Sequence, residues 1–370
     1  MKFSVATNEL NEALSVVTKA LSSNPEMKIL NGIFLSVYGN ELYMKCSDSS
    51  VQIETSIPAM IEEEGEAVLP GRLTSDLMKR MKEKNVEFET GENNSINVVS
   101  GKSRSSLQYF DTVDYPKMDE VKSDASFNIK QKILKSMIKQ TVFCCAGEEE
   151  GKAILRGVLM EFTEEGYLNL VALDGFRLAK RSEKVSLHGN SRNAVVPSKT
   201  MQDISNILSD VDDETEVTLS STHITISIGV TKIKARLLKG EYINYNNILS
   251  KKSVTRVLVN REEFVESLET AYLIARENQN NLVKFDFSEG ELSISARSEI
   301  GSIDESITVN LVGSPIEIAF NVKFLLDIMK NIDDESVALS FNTSVTPCVA
   351  EPVQGDKYYY IVLPVRILKS

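Results

Sequence analysis

Two histidines, His188 and His223, are the whole supply of imidazole in this chain, and imidazole is the side chain whose charge changes near neutral pH. Neither stands near a second candidate ligand in sequence, so histidine catalysis and metal binding have little to work with. The four cysteines, Cys46, Cys144, Cys145 and Cys348, include one adjacent pair and no CxxC. That spacing gives neither a zinc site nor a disulfide framework and predicts reduced, mostly buried thiols. The nearest approach to a nucleotide loop is Gly147-Glu148-Glu149-Glu150-Gly151-Lys152-Ala153. It has one residue too few between the glycines, an alanine where a phosphate loop needs a hydroxyl for magnesium, and three glutamates that would repel phosphate. It reads as a solvated loop after a helix. No carboxylates are paired at a suggestive spacing. The chain is therefore expected not to be an enzyme and to hold no cofactor and no metal.

What remains is the chemistry of charge. Lys and Arg number 41 against 53 Asp and Glu, a net charge of −12 that argues against nucleic acid. The average hides an asymmetry. Lys130, Lys132, Lys135 and Lys139 fall in a stretch, 126–146, without a single acid, and residues 71–84 hold five cations against Asp76 and Glu83. Acids gather in Glu62, Glu63 and Glu64, in Glu148, Glu149 and Glu150, and across 210–216. Helices sharing one surface, with the acidic loops on another, would present a positive face to phosphate. Taken singly, each cationic helix reads as the wet side of a surface helix. The third such helix runs the other way, with Arg261 and Arg276 against Glu262, Glu263, Glu266, Glu269 and Glu277.

The elements that must carry these charges recur. A strand runs into an amphipathic helix at Phe3, Leu10 and Leu14, again at Phe127, Leu134 and Ile138, and again at Val257, Phe264 and Leu268. A second landmark sets a cation, an aspartate and an aliphatic residue on a helix: Arg72, Asp76, Leu77; Lys199, Asp203, Ile204; Lys323, Asp327, Ile328. Leu77 and Met81 predict the buried stripe of the first of these. Strands are predicted at 42–46, 168–173, 217–228 and 292–296 from β-branched and alternating apolar residues. Each repeat reads as strand, helix, several strands, helix and more strands, an α+β unit long enough to bury its own core. The 370 residues suit three such domains, placed at 1–122, 123–250 and 251–370 with polar linkers near 119–124 and 250–255. No apolar run reaches membrane-spanning length, and the first residues lack the charged head and unbroken apolar core of a secretory signal. A cytoplasmic location is the expectation.

Met1-Lys2-Phe3, the stretch Val171-Ala172-Leu173-Asp174-Gly175-Phe176-Arg177-Leu178-Ala179, the triplet Phe320-Asn321-Val322 and the end Tyr360-Ile361-Val362-Leu363-Pro364-Val365-Arg366-Ile367 closely resemble the bacterial DNA polymerase III β-subunit family of sliding clamps. The resemblance covers the entire chain. It implies three repeated DNA-clamp domains, each with two helices on the inner face and antiparallel sheets outside, forming half of a ring. Two copies would meet head to tail as a homodimer around double-stranded DNA, without reading its sequence, and would serve as a processivity factor. Arg72, Lys79, Arg80, Lys132, Lys135, Lys139 and Lys199 would then face phosphates, and Leu107, Leu273 and Ile274 would sit at the ring contact.

The resemblance further implies a groove for short linear peptides of a DNA polymerase, the clamp loader and repair proteins. Its positions here are Leu155, Leu173, Gly175, Phe176, Arg177 and Leu178 on the middle repeat; Ile243, Asn247 and Ile248 on the loop that follows; Asn321, Phe324, Val345 and Pro347 on the third; and Val362, Leu363, Pro364, Val365 and Arg366 at the end. Arg177, Asn321 and Arg366 are the groups expected to orient a peptide backbone. Leu173, Phe176 and Ile243 stand where threonine, histidine and proline are usual, so the pocket should stay apolar but differ in shape. Ser105 replaces a bulkier contact residue, which predicts a readily opened ring, weaker by about 1 to 3 kcal/mol. A monomeric three-domain peptide-binding adaptor without DNA encirclement is the alternative, separated from the ring by sedimentation.

Overall fold

The computed structural model describes residues 1–22, 27–116, 122–149, 151–190, 192–249, 253–278 and 280–366. Part of each expected linker, 119–121 and 250–252, lies outside them, as do Glu150 and Ile367. The first repeat runs β1 (Lys2–Ala6), α1 (Thr7–Val17), β2 (Gly32–Tyr38), β3 (Glu41–Ser47), β4 (Val51–Pro58), β5 (Met60–Glu63), β6 (Gly65–Pro70), α2 (Gly71–Met78), β7 (Asn85–Thr90), β8 (Ser95–Ser100) and β9 (Ser103–Gln108). The second follows with β10 (Ala125–Lys130), α3 (Gln131–Val142), β11 (Gly157–Phe162), β12 (Tyr167–Leu173), β13 (Arg177–Lys184), β14 (His188–Gly189), β15 (Ala194–Pro197), α4 (Ser198–Ile207), β16 (Glu214–Leu219), β17 (His223–Ile228) and β18 (Thr231–Arg236). The third has β19 (Thr255–Asn260), α5 (Arg261–Ala275), β20 (Leu282–Ser288), β21 (Glu291–Ser298), β22 (Gly301–Thr308), β23 (Asn310–Val312), β24 (Ile316–Asn321), α6 (Val322–Asn331), β25 (Ser336–Phe341), β26 (Cys348–Pro352) and β27 (Tyr358–Val362). Among the described residues the order of strands and helices is the same in all three.

The chain forms two compact units. One comprises Met1–Lys132, Leu187–Ser191 and Asn206–Leu237; the other comprises Ile133–Ser186, Arg192–Ser205 and the chain from Leu238 onward. The first unit holds a five-stranded sheet, β5-β1-β7-β8-β9, and a nine-stranded sheet, β14-β10-β16-β17-β18-β4-β3-β2-β6. The second holds a nine-stranded sheet, β15-β11-β12-β13-β27-β26-β25-β19-β23, and a four-stranded sheet, β22-β21-β20-β24. All pairings are antiparallel, and alternation along β1, β7 and β10 sends every second side chain into a core. Phe3 and Phe88, neighbours across β1 and β7, stack at 4.9 Å.

Chemistry at the helix starts confirms the repeat. The first N–H of the leading helix donates to an equivalent carbonyl each time: Thr7 to Lys84 at 2.9 Å, Gln131 to Asp213 at 2.9 Å and Arg261 to Glu335 at 2.8 Å. These bonds satisfy a donor that has no partner inside its own helix, and they align residues 79–84, 208–213 and 330–335 with one another. Asn260 and Asn321 cap α5 and α6, their side-chain oxygens accepting from Glu263 and Lys323 N–H.

Two sequence expectations change. Residues 217–228 are not one strand: Ser220 Oγ accepts from the N–H of His223 at 2.9 Å, and the chain turns there between β16 and β17. Leu77 is only half buried, and α2 instead turns Gly71, Thr74, Ser75 and Met78 inward. A Cβ on Gly71 would lie 2.5 Å from Leu21 Cδ1 and 2.8 Å from the Asn31 carbonyl oxygen, so the helix lies too close to its neighbours for a larger residue. No described helix is long and apolar enough to cross a membrane.

Candidate functional site

The turn between β12 and β13 is built by Asp174. Its Oδ1 accepts from the N–H of Phe176 at 2.9 Å and of Arg177 at 3.0 Å, while Gly175 takes φ +98°. The first repeat makes the same turn with Asp48, whose Oδ1 accepts from Ser50 and Val51 N–H, and with Ser49 at φ +73°. Asp174 and Gly175 are thus turn residues shared in kind, and Phe176 and Arg177 are what the middle repeat adds. Arg177 spends its fork inside the fold. Nε donates to Asp174 Oδ2 at 2.9 Å, Nη1 to Asp327 Oδ2 at 2.7 Å and Nη2 to the Phe143 carbonyl at 2.9 Å, just past the end of α3. The guanidinium lies between two rings, 4.6 Å from the centre of Phe324 and 5.5 Å from that of Phe143. Phe176 stacks on Phe324 at 6.2 Å and leaves 60% of itself exposed. The result is a ladder of planar groups with one open end.

Around it the expected groove residues divide by burial. Leu155, Leu173 and Leu178 belong to one buried cluster with Tyr245 and Ile361, against which Tyr242 and Leu249 pack. The loop carrying Ile243, Asn247 and Ile248 is tied down on both flanks: Tyr242 donates to the Val171 carbonyl, and Tyr245 donates to Glu161. Ile243 and Ile248 themselves stay exposed, as does Asn247. Val362 is buried opposite Arg177 in the β13 and β27 register, with Pro347 next to its other cross-strand neighbour, Cys348. Beyond β27 the chain is held by Leu363 N–H on the Phe176 carbonyl at 2.9 Å and Val365 N–H on the Ala319 carbonyl at 2.8 Å. Leu363, Arg366 and Val345 are exposed, and Pro364 and Val365 half buried. Arg177 and Asn321, two of the three groups expected to orient a peptide, are therefore already engaged, the first as the knot just described and the second as the cap of α6. Asp174, Phe143 and Asp327 were missed as its partners. Asp327 did stand in the sequence as the third copy of a repeated aspartate, but nothing local joined it to Arg177.

Beside this knot lie Cys144 and Cys145, both free thiols. Burial, and then the Asp174 charge, push Cys145 up to about 12 against the opposing pull of Arg177. Burial raises Cys144 well above its usual value. Neither is a ready thiolate.

The expected phosphate-facing cations also divide. Arg72 and Arg80 are exposed, and Lys79 pairs with Asp76 of its own helix at 3.3 Å. Lys132 and Lys130 share Asp212, at 2.9 and 2.8 Å, and those two hydrogen bonds hold the Asp212 carboxyl below its ordinary range. Lys139 and Lys199 are exposed, Lys135 is half buried, and none of the three has an ion pair among the described residues. At the expected ring contact, Leu107 is buried on β9, whereas Leu273 on α5 is 55% exposed and Ile274 half buried beside Gly301. No described group of His, Cys, Asp or Glu could hold a metal ion.

Comparison with known proteins agrees on one family. Profiles of the DNA polymerase III beta subunit match in three parts: the N-terminal domain over residues 1–119, the central domain over 128–244 and the C-terminal domain over 246–366. The beta sliding clamp of Staphylococcus epidermidis is 30% identical over 369 residues, 97% of this chain and 96% of that one. The crystal structure of the DNA polymerase sliding clamp from Bacillus subtilis superposes with a TM-score of 0.94 at 30% identity, covering 100% of both chains. The Thermotoga maritima beta subunit does so at 0.91 with 26% identity, over 99% of this chain and 100% of that one.

Proposed function

The chain belongs to the DNA polymerase III beta subunit family of sliding clamps, non-catalytic processivity factors, and from that membership we propose that two copies join head to tail into a ring around duplex DNA. The ring tethers a DNA polymerase, its loader and repair proteins through short peptides, docked where Phe176, Leu363 and the rim residues Ile243, Asn247 and Ile248 are exposed, beside the half-buried Phe324, around the Arg177 knot. The domains would meet near residues 122 and 250.

One observation carries the ring. Each nine-stranded sheet is a five-stranded half from one repeat joined to a four-stranded half from another, through β18 on β4 and β27 on β13. The two remaining sheets are the third set of halves, five strands ending at β9 and four ending at β22. Edges of this kind invite pairing, and a second copy supplies the missing half at each end. The repeat also sets the register. In the β18 and β4 pairing, Lys232 faces Glu54, Ile233 faces Ile53 and Ala235 faces Val51. Hairpin alignment carries these onto Arg104 facing Asp304, Ser105 facing Ile303 and Leu107 facing Gly301 of the second copy. The charges oppose correctly, as Lys232 and Glu54 do.

The test is a covalent ring. Ser106→Cys with Ser302→Cys, residues that this register sets face to face, should crosslink two copies under mild oxidation. The product should stay on circular DNA through high salt and leave when that DNA is cut once. A chain that sediments as a monomer at every concentration, or a crosslinked species that stays on the cut DNA, would sink the reading.

The seam has a weak point. Ile233 and Tyr360 fill the position of Ser105 at the two joints within the chain, and both are buried. Ser105→Ile restores an apolar contact with Ile303 and is expected to strengthen the dimer by about 1 to 3 kcal/mol, roughly 5- to 150-fold in dissociation constant by sedimentation. An unchanged constant would move Ser105 away from the seam.

A further inference from the structure

The sheet face that carries the buried cluster of Val171, Leu178, Val349 and Ile361 does not end with it. Side chains two apart on a strand share a face, so β12, β13, β26 and β27 continue it with Asn169, Lys180, Glu351 and Tyr359. These four line a second hollow, of about 300 Å³. Leu249 and Tyr359 border both, since each packs against the buried cluster and also lines the hollow. All of these residues lie within the second unit.

Hydrogen bonds fix the floor and leave few groups to spare. Ser182 Oγ donates to Asn169 Oδ1 at 2.7 Å, Asn169 Nδ2 donates to Glu161 Oε2 at 3.1 Å, and Tyr245 donates to the same Glu161 oxygen. Glu351 is offset, accepting from Ser340 Oγ at 3.3 Å and lying 3.8 Å from Arg256 Nε. The charges left are Lys180 and two carboxylates: Glu165, on the turn between β11 and β12, and Asp356, on the turn between β26 and β27. None of the three has an ion pair among the described residues. The balance is negative. Aromatic walls add to it, because Tyr167 is 39% exposed, Tyr359 is half buried, and a ring face attracts a cation.

We infer that this hollow receives an arginine side chain of a protein partner. The guanidinium meets Glu165 and Asp356 at its edge and the tyrosine rings on its plane, and the methylene stem lies on Leu249. The walls shared with the buried cluster make the peptide of the neighbouring groove the chain that supplies it. Along an extended peptide, a residue two to four positions from the one over Leu178 lies about 7 to 13 Å away, the reach from Leu178 to Lys180 and Ser182 on β13. That step rests on the groove reading and adds a charge preference to it. Lys180 opposes a cationic guest rather than holding it, so its removal should help.

Nα-acetyl-arginine amide, titrated into the full chain and followed by saturation-transfer NMR, tests the hollow without a peptide. It should bind with a dissociation constant on the order of 1 mM, and the citrulline counterpart, similar in shape but uncharged, about fivefold more weakly. Glu165→Gln with Asp356→Asn should weaken the arginine probe about fivefold and leave citrulline unchanged, whereas Lys180→Gln should tighten arginine about two- to threefold. Absent binding at about 10 mM, citrulline equal to arginine, an unmoved double variant, or a Lys180→Gln chain that binds more weakly would each overturn the inference; the last would assign the hollow to an anion. Acetyl-Leu-Gly-Gly-Arg amide and acetyl-Arg-Gly-Gly-Leu amide test the step to the groove. One of them should bind at least about fivefold tighter than the arginine probe. If neither does, the link to the groove falls and the hollow stands, because the arginine probe carries no apolar anchor.

Discussion

Arg177→Ala is expected to lower the unfolding free energy by about 3 kcal/mol, the low end of the range for a broken buried ion pair, measured by urea denaturation. The side chain is 10% exposed and holds three acceptors from three separate parts of the fold. Truncation strands the Phe143 carbonyl and leaves Asp174, 8% exposed, with only the two backbone N–H bonds of its turn. Asp327 is 32% exposed and can rehydrate, which is why the upper end of the range does not apply. The two flanking rings also lose the cation between them. Arg177→Lys should recover little, because one ammonium cannot reach three acceptors disposed around a planar fork. If Arg177 served only to greet a peptide, alanine would weaken peptide binding and leave the unfolding curve within about 0.5 kcal/mol of the parent. The knot argues for both losses together, since Phe324 contacts both Phe176 and Arg177.

The repeat is legible in the sequence because its landmarks answer to local rules. Arg72, Lys199 and Lys323 each fall on the second residue of α2, α4 and α6, and the stripe of Phe3, Leu10 and Leu14 reports a single buried face. Where the reading failed, short-range rules had been overruled by neighbours. Thr74 and Ser75, not Leu77, go inward on α2 because Leu21 and the Asn31 carbonyl crowd the helix at Gly71. The turn after β16 has neither glycine nor proline; a serine hydroxyl takes the place of the ladder partner. At the candidate groove the residue types were readable and their engagement was not, because Asp327 reaches Arg177 across 150 residues. The division of the sheets into halves of five and four is likewise a product of long-range pairings, such as Ala235 with Val51, that leave no local trace.

Removing Arg72, Lys135, Lys139 and Lys199 together is expected to flatten the salt dependence of binding to a short duplex by about 3 to 4 in the log–log slope, at roughly 0.9 for each phosphate no longer neutralised. Lys79→Ala with Lys132→Ala should change it by about 1 or less. The difference follows from what each cation already faces. Lys79 is offset by Asp76, and Lys130 and Lys132 together keep one charge beyond that of Asp212, whereas the first four have no carboxylate within ion-pair reach among the described residues. Equal slopes for the two variants would mean that these pairs open freely in solution, and an unchanged slope in the fourfold variant would remove those residues from the DNA face. The crosslinked ring separates attraction from enclosure. With the four cations gone it should still stay on circular DNA through high salt, because a closed hoop needs no ionic grip to remain threaded, while its equilibrium affinity for an open-ended duplex collapses. Loss from both substrates in step would mean that retention is electrostatic and that the chains never closed around the helix.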